Sequence, residues 1–252
     1  MMNYSDFTTE QITTALNNDR LLIPVGAIEQ HGPHLPLSVD IDITTAIAMK
    51  LSDLGSGIVA PGIVYGARSQ PHSGGGPSFP GTIYVRGTVL IDYFVDVLKS
   101  FAVAGAKQLV LINGHYENEP FLFEALEICR ETGYLSKTSI IAFSWWSVIA
   151  QNIIDELFGE DFPGWHAEHA SIIETSLMMH IKPHLVKEMR LNHTRPPLAG
   201  IYLHPIDPSA ISSRGVLANT QKASEATGQK LFLHICSQIE ALLKKPHGML
   251  NE

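Results

Sequence analysis

Four short apolar runs recur along the chain: residues 21–27 (LLIPVGA), 57–64 (GIVAPGIV), 108–112 (QLVLI) and 139–143 (SIIAF). They are continuous rather than alternating, the pattern of strands covered on both faces. Between them lie segments of helical period. The clearest sets Ile91, Phe94, Val95, Leu98 and Phe101 on one face and Asp92, Asp96 and Lys99 on the other. Thr88 is its expected N-cap and Gly105 its expected stop. A last helix is expected from about residue 220 to 244, with Leu231, Ile235, Ile239 and Leu242 facing inward.

Strands alternating with helices predict an α/β fold with a mostly parallel sheet covered on both sides. Ligands of such sheets sit beyond the carboxyl ends of the strands. Chemistry is therefore expected just after Ala27, Ile112 and Phe143. No internal repeat or linker divides the pattern, and 252 residues fit a single domain over 1–252. The stretch 65–82 (YGARSQPHSGGGPSFPGT) is longer than a connector needs, and loops of that length usually carry function.

Composition narrows the classes. Apolar residues make up 45% and charged residues 17%, which excludes disorder as the default. The net charge of −8, with no block of one sign, argues against nucleic acid and anionic membrane as partners, since both need a positive face. No apolar run approaches bilayer length. The first residues lack the basic and apolar regions of a secretory signal, so a cytoplasmic protein is expected. Cys129 and Cys236 lie in apolar helical patterns without metal or redox spacing and read as buried free thiols.

The candidate chemistry gathers at the expected strand ends. Glu29, His31 and His34 follow the first run, with Asp40 and Asp42 just beyond; His115, Tyr116 and Glu117 follow the third. Residues two apart in a segment leaving a strand share a side, which pairs Glu29 with His31 and His115 with Glu117. Oxygen and nitrogen donors without thiolate suit Zn²⁺ or Mn²⁺. Two such ions, roughly 3.5–4 Å apart, share a water, lower its pKa and hold it against a carbonyl. The competing reading is polar groups satisfying one another in a cleft. It leaves the convergent carboxylates uncompensated, which is costly when they are buried.

Residues 164–169 (GWHAEH) lead into an apolar helix containing Glu174 and Thr175. They read either as a general acid or a substrate clamp, or as a helix start with Glu168 at the positive end of the dipole. Trp145 and Trp146 follow the fourth run and fit either the core or a planar wall for a flat, guanidine-like ligand. Residues 73–76 (SGGG) lack the Lys-Ser/Thr of a phosphate loop, so close backbone approach to a small ligand fits them better. There is no Gly-x-Ser-x-Gly elbow and neither cysteine lies among polar residues, which argues against covalent serine or cysteine catalysis.

The blocks PVGAIEQHGPHLPL with Asp40, YGARSQPHSGGGPSFPGT, LVLINGHYENEPF and GWHAEHASIIETSLM resemble the creatininase family in order and spacing, from about residue 22 to 178. The resemblance implies a three-layer α/β/α sandwich assembled as a homohexamer, with two divalent ions per subunit, Zn²⁺ and/or Mn²⁺. It implies that Glu29 and His115 hold one ion, His31 and Glu117 the other, and that Asp40, with Asp42 its nearest competitor, bridges them. Ser73, Tyr116, Trp146, Trp165 and His169 are implied as substrate contacts. His169 is then the expected proton donor to a leaving nitrogen, and Glu117 a base toward water. The implied activity is metal-dependent opening of a small cyclic amide, with creatinine to creatine favoured. The resemblance gives no role to Asp42, His34 or Glu174. Arg68, Pro71, His72 and residues 191–203 depart from the family pattern and leave room for another small cyclic or formylated amide. A catalytically silent metal-binding protein is the reading from a different class.

Overall fold

A computed structural model of the chain describes residues 2–70, 73, 76–189, 191, 193, 200–202, 204–205 and 212–245. Four strands, β1 (Leu21–Val25), β2 (Ile58–Val59), β3 (Gln108–Asn113) and β4 (Ser139–Ser144), pair in the order β2-β1-β3-β4. Every neighbouring pair is parallel. Around them run α1 (Thr9–Asn18), α2 (Val39–Asp53), α3 (Gly87–Val103), α4 (Glu119–Glu131), α5 (Gln151–Leu157), α6 (Ile172–Ile181) and α7 (Glu225–Lys244).

The period of two along each strand divides the apolar side chains between two cores. Leu22, Val110, Ile112 and Phe143 pack with Ile43 and Ile47 of α2, Ile173 and Leu177 of α6, and Leu231 and Ile235 of α7. Leu21, Ile23, Leu109 and Leu111 pack with Leu16 of α1, Leu90, Phe94 and Leu98 of α3, and Leu122 and Ala125 of α4. The result is the expected three-layer α/β/α sandwich. Each fully buried Leu or Ile contributes about 1.5–3 kcal/mol, so the unbroken apolar runs are what hold the sheet between its helices. Cys129 and Cys236 are buried free thiols in these two cores.

Three boundaries differ from the sequence expectation. The run 57–64 yields only a two-residue strand, because Pro61 has no N–H to donate. The chain rejoins the sheet at Ile63, whose N–H reaches Pro24 O at 2.9 Å. Helix α3 starts at Gly87, one residue ahead of the expected cap Thr88, while Gly105 does follow its end with φ +100°. Helix α7 starts at Glu225 rather than near 220, where Ser224 Oγ accepts the Thr227 N–H at 3.2 Å. Its inward stripe of Leu231, Ile235 and Ile239 closes on Leu243, with Leu242 at the edge of the core.

Among the described residues no helix is long and apolar enough to cross a membrane. Two glycines set the position of α2 against the strand ends. A Cβ on Gly26 would lie 2.5 Å from Ile41 N, and one on Gly114 would lie 2.5 Å from Asp40 O. Without side chains there, the first turn of α2 rests directly on the carboxyl ends of β1 and β3 and delivers Asp40 between them.

Candidate active site

Glu29 and His31 leave the end of β1, His115 leaves β3, Asp40 comes from the first turn of α2, and Glu174 from α6. All five residues are buried, none more than 6% exposed. The turn after β3 is locked by its own amides. Asn113 Nδ2 donates to His115 O at 2.8 Å, and Asn118 Oδ1 accepts from Ala67 N at 2.7 Å.

The imidazoles are oriented by main-chain carbonyls. His115 Nε2 lies 3.1 Å from Ala67 O, and His31 Nδ1 lies 3.1 Å from Glu29 O. Each carbonyl accepts an N–H, which turns the other ring nitrogen toward carboxylates. His115 Nδ1 sits 3.2 Å from Glu29 Oε2 and 3.1 Å from Asp40 Oδ2. His31 Nε2 sits 3.1 Å from Asp40 Oδ1 and 3.6 Å from Glu174 Oε2. Asp40 thus gives one oxygen to each cluster.

Charge in this space is strongly perturbed. Burial alone pushes His31 down, but Asp40 and Glu174 outweigh it and hold the ring well above the ordinary imidazole value. For His115 burial is likewise outweighed, by Glu29 and Asp40. Asp40 runs the other way: burial would raise it, yet His31 and His115 hold it far below the usual carboxylate range. Burial raises Glu29 despite His115 beside it. In the absence of any cation, the protein's only answer to this acid cluster is to keep protons on the imidazoles.

The donor set fits metal ions. Glu29, Asp40 and His115 form one group whose ligand atoms lie within 4.8 Å of one another, His31, Asp40 and Glu174 form another, and Glu29, His31 and His169 a third. His31 Nε2 and Asp40 Oδ2 are buried without a hydrogen bond of acceptable angle, despite their 3.1 Å contacts. Buried donor atoms crowded together without a satisfying partner are what ligands around a shared ion present once the imidazoles give up their protons.

Glu117 sits differently from its expected partnership with His31. Its carboxylate accepts from Ser73 Oγ and, at 3.2 Å, from Gln70 N, and lies 3.5 Å from His115 Nε2. Glu174 stands beside His31 in its place, with Oε2 3.6 Å from Nε2. Glu174 has no part in the sequence-based expectation; an isolated acid in the buried run Ile172–Met178 of α6 is the signal that could have found it. Asp42 faces away from the cluster, bonding Ser38 Oγ at 2.8 Å and Lys182 Nζ at 2.8 Å. His34 Nε2 meets Thr175 Oγ1 at 2.9 Å beneath α6.

His169 completes the floor. Its ring lies 4.4 Å from that of His31, and burial followed by the charge on His31 drives it well below the ordinary value. Glu168 accepts the N–H groups of Ile173 and Glu174 at the start of α6, as the dipole reading expects, and is pushed up to about 8 by burial and by Glu174. Above the cluster stands an aromatic wall. Trp146 stacks toward Tyr116 at 6.2 Å and toward Trp165 at 6.4 Å, while the buried Trp145 braces both tryptophans edge-on. The sequence left the two adjacent tryptophans open between core and wall; Trp145 takes the core and Trp146 the wall. Ser73, Tyr116, Glu117, Trp146, Trp165 and His169 line one cleft with the buried acids. Gly74 and Gly75 of the SGGG segment, with Pro71 and His72, lie outside the described residues, as does most of 191–203.

Against known proteins, the profile of the family described as creatinine amidohydrolase matches residues 5–243. A creatinine amidohydrolase of Pseudomonas putida is 37% identical over 223 residues, covering 86% of this chain and 85% of its own length. A mycofactocin precursor peptide peptidase of Mycobacterium ulcerans is 32% identical over 247 residues, covering 92% and 88%. A solved structure of a mutant creatininase complexed with creatine superposes with a TM-score of 0.90 at 31% identity, covering 96% of this chain and 97% of that one.

Proposed function

The chain belongs to the creatininase family and is a hydrolase of carbon–nitrogen bonds, and on that premise we propose that it opens creatinine to creatine, reversibly, with two divalent ions per subunit. The observation that carries the proposal is the division of Asp40, one oxygen toward His31 and one toward His115, between two buried donor groups. Glu29, Asp40 and His115 would hold one ion; His31, Asp40 and Glu174 the other. Zn²⁺ and Mn²⁺ both suit this oxygen and nitrogen set. When bound, the ions supply Lewis acidity toward a carbonyl and a lowered pKa for water.

The remaining work falls to the chain's own residues. Trp146, Trp165 and Tyr116 give a flat ring an apolar face and exclude water from one side of it. Glu117, held by Ser73 and by the Gln70 N–H, takes a proton from the attacking water in this reading. His169 offers an N–H toward the ring nitrogen that leaves. Ser73 orients Glu117 and touches substrate beside it. We extend the same reading to a cytoplasmic homohexamer of single-domain subunits, which rests on the family likeness and on the sequence signals above.

A zinc-loaded preparation should interconvert creatinine and creatine, measured by chromatography in both directions. Absence of turnover in both directions, with metal bound, overturns the proposal. Turnover of a formylated or peptide amide instead would move the chain to a sibling activity, in keeping with its 32% identity to a peptide peptidase. Bound metal with no turnover of any amide would leave a silent metal-binding protein.

A further inference from the structure

Gln30 lies between two of the proposed ligands, yet its side chain turns away from them. It is 5% exposed and has fixed partners at both ends of its amide. Oε1 accepts the Gly32 N–H at 2.9 Å, which identifies that end as the oxygen, since a backbone N–H has nothing to offer an NH₂ group. Nε2 then donates to Gly215 O at 2.9 Å and lies 2.9 Å from His169 Nε2. The amide nitrogen has no lone pair to accept with. An N–H on His169 Nε2 would therefore point at another donor, and the contact is a bond only if that ring nitrogen is the acceptor.

The loop that supplies Gly215 is built around this contact. Gly215 has φ +78°, and a Cβ there would fall 1.8 Å from Gln30 Oε1. Two residues on, Leu217 N donates to His169 O at 3.2 Å. The same short segment thus holds both the main chain of His169 and the amide that grips its ring.

We propose that Gln30, seated on Gly215, is a positioning residue that fixes the tautomer of His169, with its acceptor lone pair on Nε2 and its hydrogen on Nδ1. The assignment rests on the activity proposed above only in what the Nδ1–H is used for. In that tautomer Nδ1 carries the N–H that the activity proposed above would use toward the leaving nitrogen of a cyclic amide. The water proton taken by Glu117 is the one that ends on that nitrogen as the C–N bond breaks and the C–O bond forms. Engagement of Nε2 by the amide also keeps that nitrogen from serving as a metal ligand, although it lies 3.9 Å from Glu29 Oε1.

The test is nitrogen NMR on zinc-loaded protein labelled with ¹⁵N-histidine, with His169 assigned by comparison with H169Q. The wild type should show a pyridine-type Nε2 and a pyrrole-type Nδ1. Gln30→Glu places an acceptor where the donor stood and should reverse the pattern, lowering kcat on creatinine by about 100-fold while KM changes little, the scale of one lost preorganised hydrogen-bond donor. Gln30→Met removes the bias and should give mixed tautomers. Gly215→Ala, which displaces the amide without altering it, should shift the pattern in the same direction as Gln30→Met. A pyrrole-type Nε2 in the wild type, or an unchanged pattern in Gln30→Glu, overturns the assignment. The predicted nitrogen pattern in a protein inert toward creatinine would uphold the tautomer and sink the substrate reading instead.

Discussion

Both edges of the sheet are polar, but among the described residues only the carboxyl edge gathers buried groups that could hold an ion. At the amino edge Asn17, Asp19, Arg20, Lys107 and Ser139 line an open groove. Asn17 and Lys107 are exposed there, and Arg20 is tied to the end of α7 through a 2.7 Å bond to Leu243 O. At the carboxyl edge Glu29, His31, Asp40, His115 and Glu174 are buried and face one another. The first set lies partly open to solvent; in the second, carboxylates and imidazoles crowd one another under burial and call for protons or cations between them. Polarity at a strand end is therefore weak evidence of function. Convergence under burial is strong evidence, because it leaves a charge that something must neutralise.

The difference between the edges is broken most severely at Asp40, which both donor groups share. Asp40→Ala should remove both ions and lower turnover by on the order of 10³-fold or more, since the Lewis acid is lost with its seat. Metal analysis and a creatinine assay on the same sample would show it. Glu174→Gln spares the first group, so one ion should remain and turnover should fall by roughly 100-fold. Retention of both ions by that variant would return Glu117 to the role beside His31.

A change of pH separates the edges without mutation. His31 and His115 are raised in the folded, metal-free protein. A raised imidazole lends stability that is complete below its ordinary value of about 6.5 and is lost as pH rises through the folded value. The lowered Asp40 acts in a separate, acidic window, lending stability that is lost only as pH falls through its folded value. Metal-free protein should therefore melt at lower temperature as pH rises from 6 toward 9, while Zn²⁺ should cancel the decline by replacing the protons. Calorimetry across that range checks it, and a melting temperature that climbs with pH would contradict it.

At the aromatic wall, Trp165→Ala should raise KM for creatinine by about 10-fold through lost stacking, with metal content unchanged. The smallest effect belongs to the amino edge. Lys107→Ala should leave turnover intact and stability within about 0.5 kcal/mol of the wild type, as surface substitutions usually do. A measurable loss of activity there would undo the contrast.

Much of this was legible in the chain. The apolar runs mark the strands, and the rule for parallel sheets puts Glu29, His31 and His115 at the carboxyl edge. Asp40 needed more: its place between β1 and β3 depends on Gly26 and Gly114 letting α2 settle onto the strand ends. Glu174 was less visible, because α6 is buried on all sides from Ile172 to Met178 and its period does not say which polar side chain faces the site. Gln30 stood inside the motif without a stated part, since its partners, Gly215 and His169, lie 185 and 139 residues away along the chain. Local pattern reports strand ends well. It does not report which distant loop closes over them.

The account stands most directly on how many ions the buried cluster holds. Metal content per chain, measured on purified protein loaded with Zn²⁺ and dialysed free of excess, should be two for the wild type and one for Glu174→Gln. A wild type that retains one ion or none would contradict the shared-carboxylate site at Asp40.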